Sequence, residues 1–306
     1  MSLLPIIEAV DSFTYDGKPE EVYTLVAHDG KGQLGYILPS IAEQLTLFPD
    51  TLIVNKDAKT IQISASLDTP EKRETALNSV ALTLREKDCF ETLRGWRDEK
   101  YTVYYPESTP YVLLERAFCP LLGVVMYGVH VNGYIPPSMS ISGGYEFWVP
   151  RRSATKATFP GMLDNTIAGG LGHPYGVYDT VIKESHEEAG IEKEYIEKNL
   201  KAVGSVSYMF CNDREGGIVQ PEQEYVFDMV FDQHTKPFPV DHEAEDFTLM
   251  TLDEVLQRLH GGEFKPNCAL VMVDFLIRHG LVTAENEPGY LEILRRSHRR
   301  FPFATK

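Results

Sequence analysis

Residues 169–191 constrain this chain more than any other stretch. They read GGLGHPYGVYDTVIKESHEEAGI, a glycine-rich loop followed by a run crowded with carboxylates and a glycine stop. The spacing predicts a helix over residues 177–189, with Asp179 in its first turn, where a carboxylate suits the positive end of the helix dipole. Gly190 suits the left-handed position that ends a helix. The stretch therefore predicts a well-bounded loop, helix and loop.

Three glutamates share one face of this predicted helix. Glu184, Glu187 and Glu188 stand at i, i+3 and i+4, which leaves roughly 5–6 Å between neighbouring Cβ atoms. Their mutual repulsion would be relieved by Mg²⁺ or Mn²⁺, since these hard cations take carboxylate oxygens together with water and substrate phosphates. Glycine also lets backbone approach a ligand closely, so the Gly169 carbonyl is a further candidate metal ligand. Taken alone, the glutamate pattern is more typical of a solvated acidic face than of a metal site. The residues expected to face the core lie on another side: Tyr178, Val181 and Ser185.

In this order, the loop, helix and glycine stop resemble the Nudix hydrolase box, G-x5-E-x7-R-E-U-x-E-E-x-G-U with U aliphatic. The matching positions are Gly169, Glu184, Glu187, Glu188, Gly190 and Ile191. Lys183 stands where Arg is usual, Tyr175 where the first Glu is usual, and Ser185 where an aliphatic residue is usual. In the family that Glu commonly pairs with that Arg in a structural role, and we hypothesise that the two departures are linked.

Longer stretches are similar to one two-domain Nudix subgroup of fungi, plants and some bacteria, often labelled as related to thiamine pyrophosphokinase. They read WVPRRS at 148–153, FPGMLDN at 159–165 and FKPNCAL at 264–270. The resemblance implies an α/β fold, a Nudix α/β/α sandwich with a mixed sheet, preceded by a smaller α+β domain. It also implies Mg²⁺-dependent hydrolysis of a diphosphate linked to another moiety. The substrates implied are thiamine diphosphate analogues, oxothiamine and oxythiamine diphosphate, which would yield the monophosphate.

The resemblance also assigns candidate site residues. Metal ligands are expected at Glu184, Glu187, Glu188 and Gly169, and the family often adds a carboxylate from a later loop as ligand or base. Two pairs of acids are candidates for that role: Glu222 with Glu224, and Glu243 with Glu245. The second pair is preferred because it precedes a strand, and Glu245 completes the predicted catalytic set, although solvated turns also carry such acids. Phosphate oxygens would suit Arg151, Arg152 and Lys156, for which ordinary surface charge is the alternative.

Three rival functions remain open at this stage. The first is a Nudix pyrophosphatase of nucleotide-type substrates. The second is an isomerase like that of isopentenyl diphosphate, which needs a Cys and a Glu poised at the substrate, and no sequence context places Cys119 or Cys211 there. The third is a catalytically silent ligand sensor, but the intact Glu184, Glu187 and Glu188 argue against it.

Composition limits the partners that the chain is expected to have. Its net charge of −16 over 306 residues argues against wrapping nucleic acid or attraction to an anionic membrane. Four cysteines without a C-x-x-C pair suit a reducing compartment, so a cytoplasmic protein is expected. The expected partner is a small-molecule diphosphate, and a homodimer is left open.

The periodic pattern predicts two domains. Pro106, Pro110 and Pro120 interrupt it, which favours an N-terminal α+β domain over 1–115 and a Nudix domain with a C-terminal helical extension over 116–306. In the second domain, a helix capped by Asp253 and a basic tail helix over 290–300 are predicted. Candidate aromatic walls for a ring-bearing substrate are Tyr127, Tyr134, Tyr145, Phe147, Trp148 and Phe159.

Overall fold

The computed structural model describes residues 2–15, 22–212 and 217–306 of the chain. Its first half comprises α1 (Leu4–Val10), β1 (Tyr23–Val26), β2 (Gln33–Ile37), α2 (Pro39–Leu45), β3 (Leu52–Asn55), β4 (Thr60–Ile63), α3 (Pro70–Glu86), a 3-10 turn (Glu91–Gly95), β5 (Lys100–Tyr104), β6 (Pro110–Glu115) and α4 (Cys119–Leu122). Its second half comprises β7 (Met126–Ile135), β8 (Glu146–Arg152), β9 (Ile167–Gly170), α5 (Val177–Ala189), α6 (Lys193–Asn199), β10 (Leu200–Asn212), β11 (Ile218–Val230), β12 (Ala244–Thr251), α7 (Leu252–His260), α8 (Pro266–Arg278) and α9 (Tyr290–Arg296).

A mixed sheet organises the second half. Its strand order is β10-β11-β7-β8-β12, and β9 pairs with β7 beside this path. The β11–β7 pair is parallel, whereas the pairs β10–β11, β7–β8, β7–β9 and β8–β12 are antiparallel. This arrangement confirms the predicted mixed sheet.

Helices cover both faces of this sheet, as the predicted sandwich requires. Val129 and Val131 of β7 pack with Val181 of α5 on one face. On the other face the ring of Tyr134 lies 5.0 Å from that of Phe275 in α8, centroid to centroid. Successive side chains of a strand point to opposite faces, so the residues of β7 at both parities must be apolar or, like His130 and Asn132 on the α8 face, hydrogen-bonded. The predicted α/β/α architecture is confirmed.

The first half forms its own sheet, in the order β2-β1-β4-β3, together with the hairpin β5–β6. One buried cluster joins it to Met126 and Tyr127 at the start of β7. The first helix behaves differently, because Leu3, Ile7 and Val10 pack with Leu276 and Ile293 of the C-terminal helices. The predicted boundary near residue 115 stays a prediction. Within the described residues, no helix combines the length and apolar character that crossing a membrane requires.

Several element predictions need correction. The helix at Leu252 is capped by Thr251, whose hydroxyl accepts from Glu254 N at 3.4 Å, and not by Asp253. The tail helix ends at Arg296. Glu245 lies within β12 and not before it, and Glu222 and Glu224 lie within β11. The strand β6 was not anticipated, because proline at its first residue reads as a break. Most of the polar turn predicted over 212–217 lies outside the described residues.

Candidate active site

The box helix α5 spans Val177–Ala189, the range that the sequence predicts. At its start the Asp179 carboxylate accepts from Gly176 N at 3.3 Å, which satisfies a backbone donor that has no partner within the helix. At its end Gly190 adopts φ 63°, and Ile191 N donates to Ser185 O at 3.1 Å. The left-handed glycine closes the last turn and directs the chain back toward the sheet.

Only part of the predicted inner face of α5 is buried. Val181 and Ser185 are fully buried, as expected. Tyr178 is 44% exposed, so its assignment to the core is wrong. It lies in the first turn of the helix, whereas Val181 and Ser185 lie farther along it.

Two of the three box glutamates lie against β9. A Cβ atom at Gly169 would lie 2.5 Å from Cγ of Glu184, so this position has room only for glycine. The Glu188 carboxylate accepts from Ala168 N at 3.2 Å. Consecutive residues of one strand therefore hold consecutive turns of the helix, and both carboxylates meet the edge of β9.

Lys183 bridges two of the box carboxylates, Glu184 and Glu187. Its ammonium lies 3.0 Å from Oε1 of Glu184 and 2.8 Å from Oε2 of the half-exposed Glu187. It also lies 6.0 Å from the centre of the Tyr175 ring, a distance at which a cation and an aromatic face attract each other. Lys183 and Tyr175 are two of the three positions that depart from the box, and a cation–π contact lies between them where the family commonly has an ion pair.

The later carboxylates lie in different places. Glu243 lines a narrow cleft together with Glu188 and Asp164, and it forms an ion pair with Lys156. The Glu245 carboxylate instead accepts from Ala154 N at 3.0 Å. The structure thus brings Glu243 to the box helix and leaves Glu245 holding the neighbouring loop.

Glu222 and Glu224 lie on the sheet face that α8 covers. Glu222 bonds to the Tyr208 hydroxyl, and Glu224 lies 3.7 Å from Nε2 of His130. Burial disfavours the imidazolium, but the Glu224 carboxylate outweighs that effect and raises the pKa of His130 well above its ordinary value. This pair is a charged element of the core beneath α8.

The predicted phosphate-binding side chains are engaged with protein groups. Arg151 donates to Gly161 O at 2.7 Å. Arg152 lines the Glu188 cleft, where its guanidinium lies 2.6 Å from the Asp164 carboxylate. Lys156 reaches the same cleft through Glu243. Arg152 and Lys156 are therefore near the box carboxylates, whereas Arg151 holds the loop that precedes β9.

Two glycines of the loop leave space that neighbouring side chains occupy. A Cβ atom at Gly170 would collide with the Tyr101 hydroxyl of β5, and one at Gly172 would lie 2.7 Å from the Glu99 carboxylate. The loop is further fixed by a hydrogen bond of 2.8 Å from His173 N to Lys100 O. At these two positions the close approach foreseen for a ligand is made by the β5 hairpin.

Two family models match separate parts of the chain. A family model described as a NUDIX domain matches residues 140–268, and one described as a domain of unknown function (DUF4743) matches residues 8–126. Nudix hydrolase 24, chloroplastic, of Arabidopsis thaliana is 35% identical over 86% of this chain and 69% of its own length. The chain belongs to the Nudix hydrolase family. Nudix hydrolase 20, chloroplastic, of the same plant is 33% identical over 87% of this chain and 71% of its length. An uncharacterised Saccharomyces cerevisiae protein is 42% identical over 99% of this Nudix hydrolase and 92% of its own length.

Membership makes this chain an enzyme of phosphoanhydride hydrolysis, and Nudix hydrolases generally use divalent cations such as Mg²⁺ or Mn²⁺. The donors at the box suit such ions, because hard cations prefer carboxylate and carbonyl oxygens. Within the described residues no three acidic, histidine or cysteine side chains are already grouped as a metal site. Lys183 occupies the place between Glu184 and Glu187 and supplies the countercharge there.

Electrostatics at the box of this Nudix hydrolase favour a bound cation. Burial raises the pKa of Glu184, although Lys183 acts against it. Burial also raises the pKa of Glu188 well above its ordinary value, and the carboxylates of Glu184 and Asp164 raise it further. A divalent cation would reverse both effects, because it stabilises the ionised carboxylates.

We expect Lys183→Arg to be nearly neutral for activity. Either side chain can bridge Glu184 and Glu187, and a helical ion pair of this kind is worth roughly 0.5 kcal/mol, so kcat/KM should change by about twofold at most. Steady-state kinetics of Lys183→Arg measure this. The control is Lys193→Arg, because Lys193 forms an exposed ion pair with Glu197 on α6. A large rise in KM for Lys183→Arg alone would assign Lys183 to substrate binding.

Proposed function

We propose that this enzyme removes the terminal phosphate of thiamine-type diphosphates, with oxothiamine and oxythiamine diphosphate preferred. The proposal rests on the stretches at 148–153, 159–165 and 264–270, which resemble the subgroup associated with those compounds. Its chemistry rests on one observation, that Glu184 and Glu188 converge on neighbouring residues of β9.

The box carboxylates Glu184, Glu187 and Glu188 would hold Mg²⁺ or Mn²⁺ in this proposal. When bound, such ions neutralise phosphate oxygens and lower the pKa of an attacking water. Water adds to the terminal phosphorus, the bond from that phosphorus to the bridging oxygen breaks, and orthophosphate and the monophosphate leave. The water proton passes to a protein carboxylate.

Glu243 is the better candidate for that carboxylate than Glu245. It faces the cleft that Glu188 lines, whereas the Glu245 carboxylate is bonded to the backbone of Ala154. Burial raises the pKa of Glu243, but Lys156 outweighs burial and lowers it. A lowered pKa keeps Glu243 ionised at neutral pH but makes it a weak base, so proton transfer to it would depend on a bound cation that lowers the pKa of the water.

Strand geometry favours Ala168 over Gly169 as the source of a carbonyl ligand. Leu171 N donates to Tyr127 O at 2.8 Å, and Gly169 lies two residues away, opposite Val129. Hydrogen-bonded pairs alternate along an antiparallel ladder, so the Gly169 carbonyl is used by β7. Ala168 N points outward to Glu188, and its carbonyl shares that side.

Two of the three predicted phosphate-binding residues remain in the proposal. Arg152 and Lys156 stand at the Glu188 cleft, where cations can contact phosphate oxygens. Arg151 is left with a supporting role, because it bonds to the backbone of Gly161.

A substrate panel tests the proposal. With Mg²⁺, we expect kcat/KM for oxothiamine or oxythiamine diphosphate to exceed that for ADP-ribose, NADH or nucleoside triphosphates by more than tenfold, about 1.4 kcal/mol of added contact. Phosphate release measures turnover of the thiamine-type diphosphates, and chromatography of the monophosphate products measures turnover of every substrate in the panel, including ADP-ribose and NADH, whose hydrolysis releases no orthophosphate. A nucleotide or dinucleotide that is preferred by the same margin would remove the thiamine assignment and leave the family assignment intact.

A further inference from the structure

A cavity lies where the first half of the chain meets the box loop. Its volume is about 470 Å³, and its walls come from the start of α3, the β5–β6 hairpin, β7 and residues 171–176. This volume lies in the range of small-molecule sites, roughly 300–1,000 Å³. The cavity is separate from the narrow cleft at Glu188.

Tyrosines dominate the cavity wall. Tyr104, Tyr111, Tyr127 and Tyr175 all line it. The Arg73 guanidinium already covers one face of Tyr111 at 3.9 Å, and Tyr127 is 6% exposed and packs edge to face with Tyr104 at 5.6 Å. Tyr104 is half-buried and Tyr175 is 49% exposed. Tyr104 and Tyr175 are therefore the rings with area left for a ligand.

Charged residues of both signs line the cavity. Glu71 is exposed on α3, and the neighbouring Glu74 forms an ion pair with Lys100. Lys306 and His173 also line the cavity. Because the face of an aromatic ring is electron-rich, the tyrosines and Glu71 together favour a flat cation.

Tyr175 belongs to the cavity wall and also lies near the box carboxylates. The ring of Tyr175 lies 6.0 Å from the Lys183 ammonium, which in turn contacts Glu184 and Glu187. Gly176, where α5 begins, also lines the cavity. Glu184 is eight residues farther along, about 12 Å at 1.5 Å per residue. A ligand with a ring at one end and phosphates at the other matches this arrangement.

We propose that this cavity is the subsite for the non-phosphate part of the substrate and binds a flat, positively charged aromatic ring. The inference rests on the proposed function for the phosphate end of the same ligand. It gives the N-terminal half a role in specificity, because Glu71, Tyr104 and Tyr111 come from that half while Tyr175 comes from the box loop.

Thiamine itself, which has a cationic ring and no phosphate, is the probe for the first test. Isothermal titration should detect its binding to the wild-type enzyme without metal. Tyr104→Leu and Tyr175→Leu should each raise Kd about tenfold, since each removes one cation–π wall. Tyr104→Phe keeps the ring and should bind like wild type, as should Tyr178→Leu, an exposed tyrosine outside the cavity. The proposal would be overturned if the wild type did not bind thiamine, or if both leucine variants had an unchanged Kd.

Charge variants separate a cation site from an anion site. Glu71→Gln should weaken thiamine binding about threefold and Lys306→Gln should tighten it, because surface charges contribute up to about 1 kcal/mol. Glu86→Gln, at the far end of α3, is the matched control. The opposite signs would show that the cavity prefers anions such as the phosphates, and would overturn the assignment.

Kinetics separate this inference from the proposed substrate. For oxythiamine diphosphate, the effect of Tyr104→Leu should fall on KM rather than on kcat. An unchanged KM in that variant would remove the subsite and leave the substrate assignment standing. If the Kd for thiamine changes in the variants as expected but no thiamine-type diphosphate is hydrolysed, the subsite stands and the proposed function fails.

Discussion

Glu188→Gln is expected to lower kcat by about 100-fold or more, the range found when one electrostatic catalytic group is removed. The variant keeps a side-chain oxygen for Ala168 N, which the Glu188 carboxylate accepts at 3.2 Å. Burial raises the pKa of Glu188, which means that the ionised carboxylate is unfavourable in the metal-free protein. The variant without this charge should therefore be at least as stable as wild type when no metal is bound. Glu187→Gln should show a comparable loss, since it is the third box carboxylate.

Phosphate release and thermal unfolding measure both parts of this expectation. Glu194→Gln, an exposed residue of α6, is the control and should retain wild-type turnover. Near-wild-type turnover of Glu187→Gln and Glu188→Gln, with unchanged dependence on Mg²⁺, would contradict the assignment of the box carboxylates.

Arg299→Ala is expected to lower the free energy of unfolding by about 3–5 kcal/mol, as when one partner of a buried ion pair is removed. Arg299 lies 2.8 Å from the Asp11 carboxylate, which is completely buried. The same guanidinium donates to Phe13 O at 2.6 Å. Its loss leaves a buried charge uncompensated and releases the segment that follows α1.

Urea unfolding measures this effect, with Arg295→Ala as the control. Arg295 is exposed and lies 3.7 Å from Glu292, so its loss should change the free energy of unfolding by less than about 0.5 kcal/mol. Arg299→Met combined with Asp11→Asn should recover much of the stability, because no buried charge then remains. Equal, small losses for Arg299→Ala and Arg295→Ala would contradict the role given to the ion pair.

Local rules account for what the sequence predicted well. The bounds of α5 follow from neighbouring residues, with an acid in its first turn and a left-handed glycine at its end. Such bounds depend on positions within a few residues of each other. The α/β/α architecture is instead what the resemblance to the Nudix family implies, because local patterns alone do not fix how helices and strands pack.

The basic tail shows where local rules fail. The run from Arg295 to Arg300 reads as the exposed end of a helix, yet α9 ends at Arg296 and Arg299 turns inward to Asp11. These partners are separated by almost the whole chain, and no local pattern links them. A buried arginine is rare without a partner, so only the tertiary structure identifies it.

The candidate site was predictable at the box and less so around it. Glu243 and Glu245 are equivalent in the sequence, and only the β-bulge at the β12–β8 pair separates their directions. Of the six aromatic residues proposed as ring-binding walls, Tyr127 lines the cavity, whereas Tyr134, Tyr145 and Phe147 pack with Phe275. Of the other cavity tyrosines, Tyr104 and Tyr111 lie on the β5–β6 hairpin, whose docking on the box loop no local pattern predicts, and Tyr175 lies in the box loop itself.

Binding of Mn²⁺ to the enzyme tests the central claim, that the box carboxylates form the metal centre of a hydrolase. Electron paramagnetic resonance should show Mn²⁺ bound by the wild type and by Glu194→Gln. Binding should be lost, together with phosphate release, in the double variant Glu184→Gln, Glu188→Gln, provided that its fold is intact by circular dichroism. Wild-type Mn²⁺ affinity in a folded double variant would contradict the claim.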